Sequence, residues 1–151
     1  MIDALVLIRH GLTAWNQQRV LQGHHDVPLS APGRWQAEQL ARHPALETAP
    51  DAVYSSDLAR ARETAEVLVK DRPHILRLTP LLRERSFGEY EGRPFDEVSA
   101  QMELERLAAG LAPDVYLPPG GESRRQVDMR LRAFLEEIDR QHAGQRVWVI
   151  S

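Results

Sequence analysis

The chain has 151 residues, of which 42% are hydrophobic and 27% charged, with a formal net charge of −3. That size and balance describe one ordinary globular domain with a real core, and the mild acidity argues against a broad nucleic-acid-binding face. The absence of cysteine excludes disulfides, thiol nucleophiles and thiolate metal sites, and no apolar run is long enough to span a bilayer or to act as a signal peptide, so a soluble, cytoplasmic protein is expected.

In chain order, Ala4–Ile8 is a short continuous apolar run and reads as a buried parallel strand. It ends in Arg9-His10-Gly11, two side chains poorly suited to burial followed by a turn residue. A polar loop from Gly11 to Leu29 follows. Ser30 and Pro32 supply helix-start chemistry, with Trp35, Leu40 and Ala41 suggesting the packed face. Asp51–Ser55 is a second strand, and Ser56 is placed to cap a helix in which Leu58, Ala61, Ala65, Leu68 and Val69 recur at helical spacing. His74–Leu78 reads as a third strand, and Phe95–Ala109 as a more polar helix. After the Pro118–Gly121 turn, Glu122–His142 is a helix with Val127, Leu131, Phe134, Leu135 and Ile138 on one side. Gly144 stops it, and Arg146–Ile150 is a fourth strand. Alternating strands and helices predict an α/β fold, a mainly parallel sheet covered on both faces, whose ligands bind beyond the carboxyl ends of the strands.

Arg9 and His10 stand at such an end. Alone they are a weak signal, because a solitary strand-end histidine is equally explained by solvation or a structural hydrogen bond. The other strand ends strengthen it. Arg60 falls in the first turns of the helix after strand two, and Glu84 lies beside a turn glycine after strand three. Asn16 and Gln22-Gly23 add neutral groups from the loop. Arg60 has a plainer reading as an ion-pair partner of Glu63 or Asp57, and Glu84 as a solvated loop acid. Arg62 and Arg83 read as surface charges, and Trp35 and Trp148 as packing residues. His24-His25-Asp26 invites a metal reading, but neighbouring histidines diverge and no further ligand stands at suitable spacing, so no metal or cofactor is expected.

Five stretches in this order resemble the histidine phosphatase superfamily, with its phosphoglycerate-mutase-like fold. They are RHGLTAWN at Arg9–Asn16, LQGHHDVPLSAPG at Leu21–Gly33, SSDLARARETA at Ser55–Ala65, LRERSFGEYEG at Leu82–Gly92 and PGGES at Pro119–Ser123. The resemblance covers essentially the whole chain and is specific as a set, although no single stretch is. It implies that His10 is the nucleophile, Arg9 and Arg60 clamp a phosphate, Asn16 contributes a phosphate contact, and Gln22 and Gly23 line the pocket. Glu84 is implied as proton donor, provided the site buries it. An aromatic residue is common in the family near His24, and this departure makes His24 a candidate substrate contact. The chemistry calls for these residue types independently. A phosphomonoester dianion repels anionic nucleophiles, two guanidiniums can bind its oxygens bidentately, and the departing alkoxide needs a proton.

The family also places a second histidine in a Ser-His-Gly context directly after the last strand, where this sequence reaches Ser151. The resemblance therefore implies a single domain over residues 1–151 that lacks its C-terminal portion, with one side of the sheet exposed and a homodimer as a possible compensation. Three functions follow. The short stretch from Gly92 to Gly121 and the LQG reading favour a metal-independent phosphatase acting on a small phosphomonoester. A cofactor-dependent phosphoglycerate mutase is the alternative, and a non-catalytic phospho-ligand-binding module is the third.

Overall fold

A computed structural model describes Met1–Ser151. Four strands, β1 (Ala4–Ile8), β2 (Ala52–Ser56), β3 (Leu76–Thr79) and β4 (Arg146–Ile150), form one parallel sheet in the order β1-β4-β2-β3. Five helices accompany them: α1 (Ala14–Gln17), α2 (Ala31–Leu40), α3 (Ala59–Leu68), α4 (Phe95–Ala108) and α5 (Arg124–Gln141). The expected α/β architecture is present. Ile8 pairs with Ile150, Ile150 with Ser55, and Ser56 with Thr79, so the carboxyl ends of all four strands are nearly level. Residues that follow β1, β2 and β3 consequently emerge along one edge.

Strand alternation divides the core in two. On one face Ile8, Val53, Trp148 and Ile150 pack against Ala61 and Ala65 of α3, against Val69 just beyond its end and against Leu46. On the other, Ala52, Tyr54, Val147 and Val149 meet Phe134 and Ile138 of α5 and Leu82. Each large side chain withdrawn from water in this way contributes about 1.5–3 kcal/mol. A smaller cluster of Leu21, Tyr90 and Val98 holds α4 to the loop.

Several expectations need correction. Strand β1 is not buried throughout, because it is the sheet edge and α5 does not extend over it. Val6 and Ile8 face α3, whereas Leu5 and Leu7 are 41% and 71% exposed. Strand β3 starts at Leu76, not His74, since Pro73 opens a 3-10 turn over Pro73–Ile75. Ser56 does not cap α3; it is the last residue of β2, and Leu58 occupies the cap position without a side-chain bond. The cap comes from the distant loop, where Asp26 Oδ1 accepts from Ala59 N at 2.6 Å. Trp35 is 61% exposed because α2 buries only Gly33 and Ala37, and Leu135 is 39% exposed. Trp148 is core, as read. Helix α5 begins two residues late because Ser123 forms a capping box with Gln126.

Candidate active site

The carboxyl edge of the sheet carries a cavity of about 220 Å³ whose walls include Arg9, His10, Arg60 and Glu84, with Ser56 and Ser151. These four residues come from the ends of β1, α3 and the segment after β3. The sequence reading thus brought together the four groups that do meet.

His10 continues the ladder beyond β1, its N–H donating to Ser151 O at 2.9 Å. Its Nδ1 lies 2.7 Å from Gly11 O. A carbonyl only accepts, so Nδ1 carries the proton and Nε2 keeps its lone pair. Burial holds the ring below the ordinary imidazole pKa, opposed by the Gly11 bond and reinforced by the Arg60 and Arg9 charges. Burial, more than the positive field of the two arginines, is the cause. The following turn is fixed by Gly11 N donating to Thr64 Oγ1 at 3.1 Å. Gly11 must be glycine here, since a Cβ would lie 2.4 Å from Gly33 O.

Arg60 is 2% exposed, and its Nη1 and Nη2 donate to the carbonyls of His25 (3.0 Å) and Gly23 (2.8 Å). The plainer ion-pair reading does not describe it. Asp57 is held by Arg83 in a two-pronged bridge, and Glu63 by Arg34 at 3.1 Å. That bridge also makes Arg83 a half-buried pairing residue and not a free surface charge. Burial lowers the Arg60 pKa, while Glu84, Asp26 and Glu91 work in the opposite direction. Arg60 both faces the cavity and ties down the loop that borders it.

Glu84 is exposed, against the burial expected of a proton donor. Its Oε1 accepts from Arg85 N at 2.7 Å, and its carbonyl accepts from Arg130 Nη2 at 3.1 Å. His24 Nε2 donates to the same carbonyl at 2.9 Å, so this histidine braces the Glu84 segment. Asn16, Gln22 and Gly23, expected as phosphate and pocket contacts, are not among the residues that line the cavity. Asn16 completes the capping box of α1 with Thr13, whose hydroxyl also donates to Gln22 Oε1 at 2.7 Å. Gly23 presents its carbonyl to Arg60 at positive φ (49°), and a Cβ there would strike the Glu91 carboxylate.

Three supporting residues escaped the sequence reading. Ser56 lines the cavity, and Asp26 caps α3 from the loop. Glu91 accepts from the backbone of His24 and Phe87, from Ser86 Oγ and from His25 Nδ1. Burial alone would raise the Glu91 carboxyl; these donors hold it below the usual range. The EYEG run containing Glu91 was the available signal, but nothing local tells a hub carboxylate from a solvated one.

The chain matches the histidine phosphatase superfamily (branch 1) over residues 5–151 and belongs to that family. It is 38% identical to phosphoglycerate mutase-like protein 4 of Arabidopsis thaliana, over 97% of this chain and 65% of that protein. It is 37% identical to the metal-independent phosphoserine phosphatase of the same plant, over 99% and 64%. Among solved structures it superposes on the alpha-ribazole phosphatase of Shigella flexneri with a TM-score of 0.84 and 28% identity, covering 97% of this chain and 72% of the other. The chain therefore spans a little under two thirds of the length of these curated relatives.

Proposed function

We propose that the protein hydrolyses a small phosphomonoester through a phosphohistidine on His10, without a metal step. The observation that carries this reading is the orientation of His10. Its Nδ1 is committed to Gly11 O, leaving Nε2 with its lone pair in a cavity shared with two guanidiniums and a carboxyl group. Nε2 attacks phosphorus, the P–O bond to the alcohol breaks, and Glu84 gives its proton to the departing alkoxide. Water then attacks the phosphohistidine, the P–N bond breaks, and the Glu84 carboxylate takes the water's proton. Arg9 and Arg60 hold the phosphoryl oxygens; such donors stabilise a transition state by roughly 3–4 kcal/mol each. The names of the relatives include phosphatases acting on phosphoserine and on alpha-ribazole phosphate, which agrees with the reading.

Hydrolysis is favoured over mutase chemistry because a mutase must exclude water from the phosphoenzyme. Between Gly92 and Gly121 this chain has one regular element, α4, and Glu84 stands open to solvent. Single-turnover labelling with a phosphomonoester, quenched in alkaline SDS so that the acid-labile P–N bond survives, tests the assignment. Phosphate on His10 that transfers to water is the expected result; transfer only to a second phosphate ester would make the protein a mutase. No label on His10 would leave the binding-module reading.

A further inference from the structure

Thr64 lies inside α3 between Ala61 and Ala65, which pack on the sheet, and its β-branched side chain is a poor helix former. At 1% exposed, its hydroxyl has no access to water and needs protein partners. It donates to the Arg60 carbonyl at 2.7 Å, one turn back along the helix, and accepts from Gly11 N at 3.1 Å. A hydroxyl carries one hydrogen, so the back-bond to Arg60 fixes the rotamer and leaves the lone pairs for Gly11.

Gly11 is also the residue that decides which nitrogen of His10 can react, because its carbonyl accepts from Nδ1 at 2.7 Å. Glycine has the freest backbone of any residue, and that carbonyl keeps its direction only if the chain on either side is held. On the far side Leu12 N donates to Gln36 Oε1 at 3.0 Å, an exposed bond for which water can compete. On the near side the bond to Thr64 is buried. Arg60, the partner of Thr64 on its own helix, is the clamp residue, and the carbonyls of Gly23 and His25 anchor its guanidinium. One hydroxyl therefore joins the turn of the nucleophile to a fixed element of the phosphate site.

We infer that Thr64 is a positioning residue for His10: acting through Gly11, it keeps the imidazole in its Nδ1–H form and sets the place of Nε2 relative to Arg60. Without the hydroxyl, the Gly11 N–H is left buried and unpaired, and the turn shifts to find it a partner. The Gly11 carbonyl then no longer holds the Nδ1 proton. A neutral ring released in this way moves its proton to Nε2 in part of the molecules, and there the lone pair needed for attack is lost. The inference rests on the phosphohistidine reading for its effect on rate, but not for its effect on the ring. A threonine that merely filled space would give way to valine, of nearly the same shape, with no change at His10.

The test compares Thr64→Val, which removes the hydroxyl, with Thr64→Ser, which keeps it and removes the methyl group. Hydrogen–nitrogen correlation spectra of the His10 ring, taken at a pH above its titration, read the tautomer. Wild type and Thr64→Ser should show Nδ1–H, and Thr64→Val a mixture with Nε2–H. Phosphorylation in single turnover should fall by roughly ten- to a hundredfold in Thr64→Val, the scale expected when a reacting atom is slightly misplaced, and should recover in Thr64→Ser. Affinity for inorganic phosphate, which reads the arginine clamp, should hold in both variants, so that the loss is one of rate and not of binding. An Nε2–H ring in wild type, or rapid exchange of the wild-type Gly11 amide, would overturn the inference with no variant needed, even if Thr64→Val fails to fold. A fall in Thr64→Ser equal to that in Thr64→Val would also overturn it, by tying the loss to stability. A tautomer mixture confined to Thr64→Val, in a protein whose His10 never takes a phosphoryl group, would sustain the positioning role and remove the hydrolase reading instead.

Discussion

His10 and His142 lie at opposite ends of the sheet, both largely withdrawn from water, and their surroundings differ in one respect that matters. His142 spends both nitrogens on the protein: Nδ1 donates to Gln145 Oε1 at 2.6 Å, and Nε2 accepts from the Tyr54 hydroxyl at 2.9 Å. Arg77 donates in turn to that hydroxyl at 2.7 Å, closing a network in which every member is satisfied. His10 spends one nitrogen on Gly11 O and leaves the other without a protein partner, in a residue that lines one cavity with Arg9, Arg60 and Glu84. A saturated polar cluster specifies and rigidifies a fold. One with free valence, held beside guanidiniums that themselves have donors to spare, is arranged for a ligand. Burial alone does not tell the two apart; the unspent hydrogen-bonding capacity does.

The strongest way to break this contrast is to remove each ring. His10→Ala should abolish phosphoenzyme formation with every phosphomonoester in single turnover, because no covalent intermediate can form. His142→Ala should still be phosphorylated but should lose about 1–3 kcal/mol of stability in denaturant titration, the usual cost of leaving buried partners unpaired. If His142→Ala also loses phosphorylation while remaining folded, the two ends are coupled and the contrast collapses.

Next in size is Glu84→Gln, for which the leaving group decides the outcome. Phosphorylation by an alkyl phosphate should slow by about 100- to 10,000-fold, the range for a positioned general acid, whereas an aryl phosphate, whose phenolate departs unaided, should slow far less. Equal losses for both would assign Glu84 a structural or binding role. Arg60→Gln should cost roughly 100- to 1,000-fold in the same step with either substrate. It should also loosen the loop around Gly23 and His25, whose carbonyls lose their donor, as read by faster amide exchange there. A fall in rate with no change in exchange would separate the clamp from the brace.

The smallest effect is pH dependence, where the sign is the useful part. His10 has a lowered pKa in the folded state and the ordinary imidazole value near 6.5 when unfolded. Between those two values the unfolded chain binds more protons, so stability rises with pH across the window and is complete above 6.5. As pH falls through the folded pKa, that contribution is lost. Wild type should therefore lose more stability than His10→Asn between pH 7.5 and 5.5 in chemical denaturation, and NMR titration of the ring should place its midpoint below 6.5. The reverse sign would mean that Glu84 outweighs burial at this ring.

Local pattern was enough for the four strands and for helices α2 to α5, but not for the short α1, which falls inside the stretch read as loop from Gly11 to Leu29. The apolar runs at Ala4–Ile8, Ala52–Ser55 and Arg146–Ile150 carry their own secondary structure, and Arg9, His10, Arg60 and Glu84 stand at strand ends or shortly after by simple counting. A parallel sheet then puts those ends on one edge whatever the side chains do. That is why the four-residue cavity was anticipated from one dimension.

Tertiary structure decided whatever depends on partners distant in the chain. Asp26 displaced Ser56 as the cap of α3 because the fold carries a loop 33 residues away to that helix end. Arg60 turned inward because the carbonyls of Gly23 and His25 await it while Arg83 and Arg34 occupy the nearby acids. Leu5 and Leu7 lie exposed because strand order makes β1 an edge, a property of pairing and not of hydrophobicity. Residue type and period set each segment's backbone; which charges pair, which hydrogen-bonding groups remain unspent and which apolar face is covered depend on distances that exist only after the segments have packed.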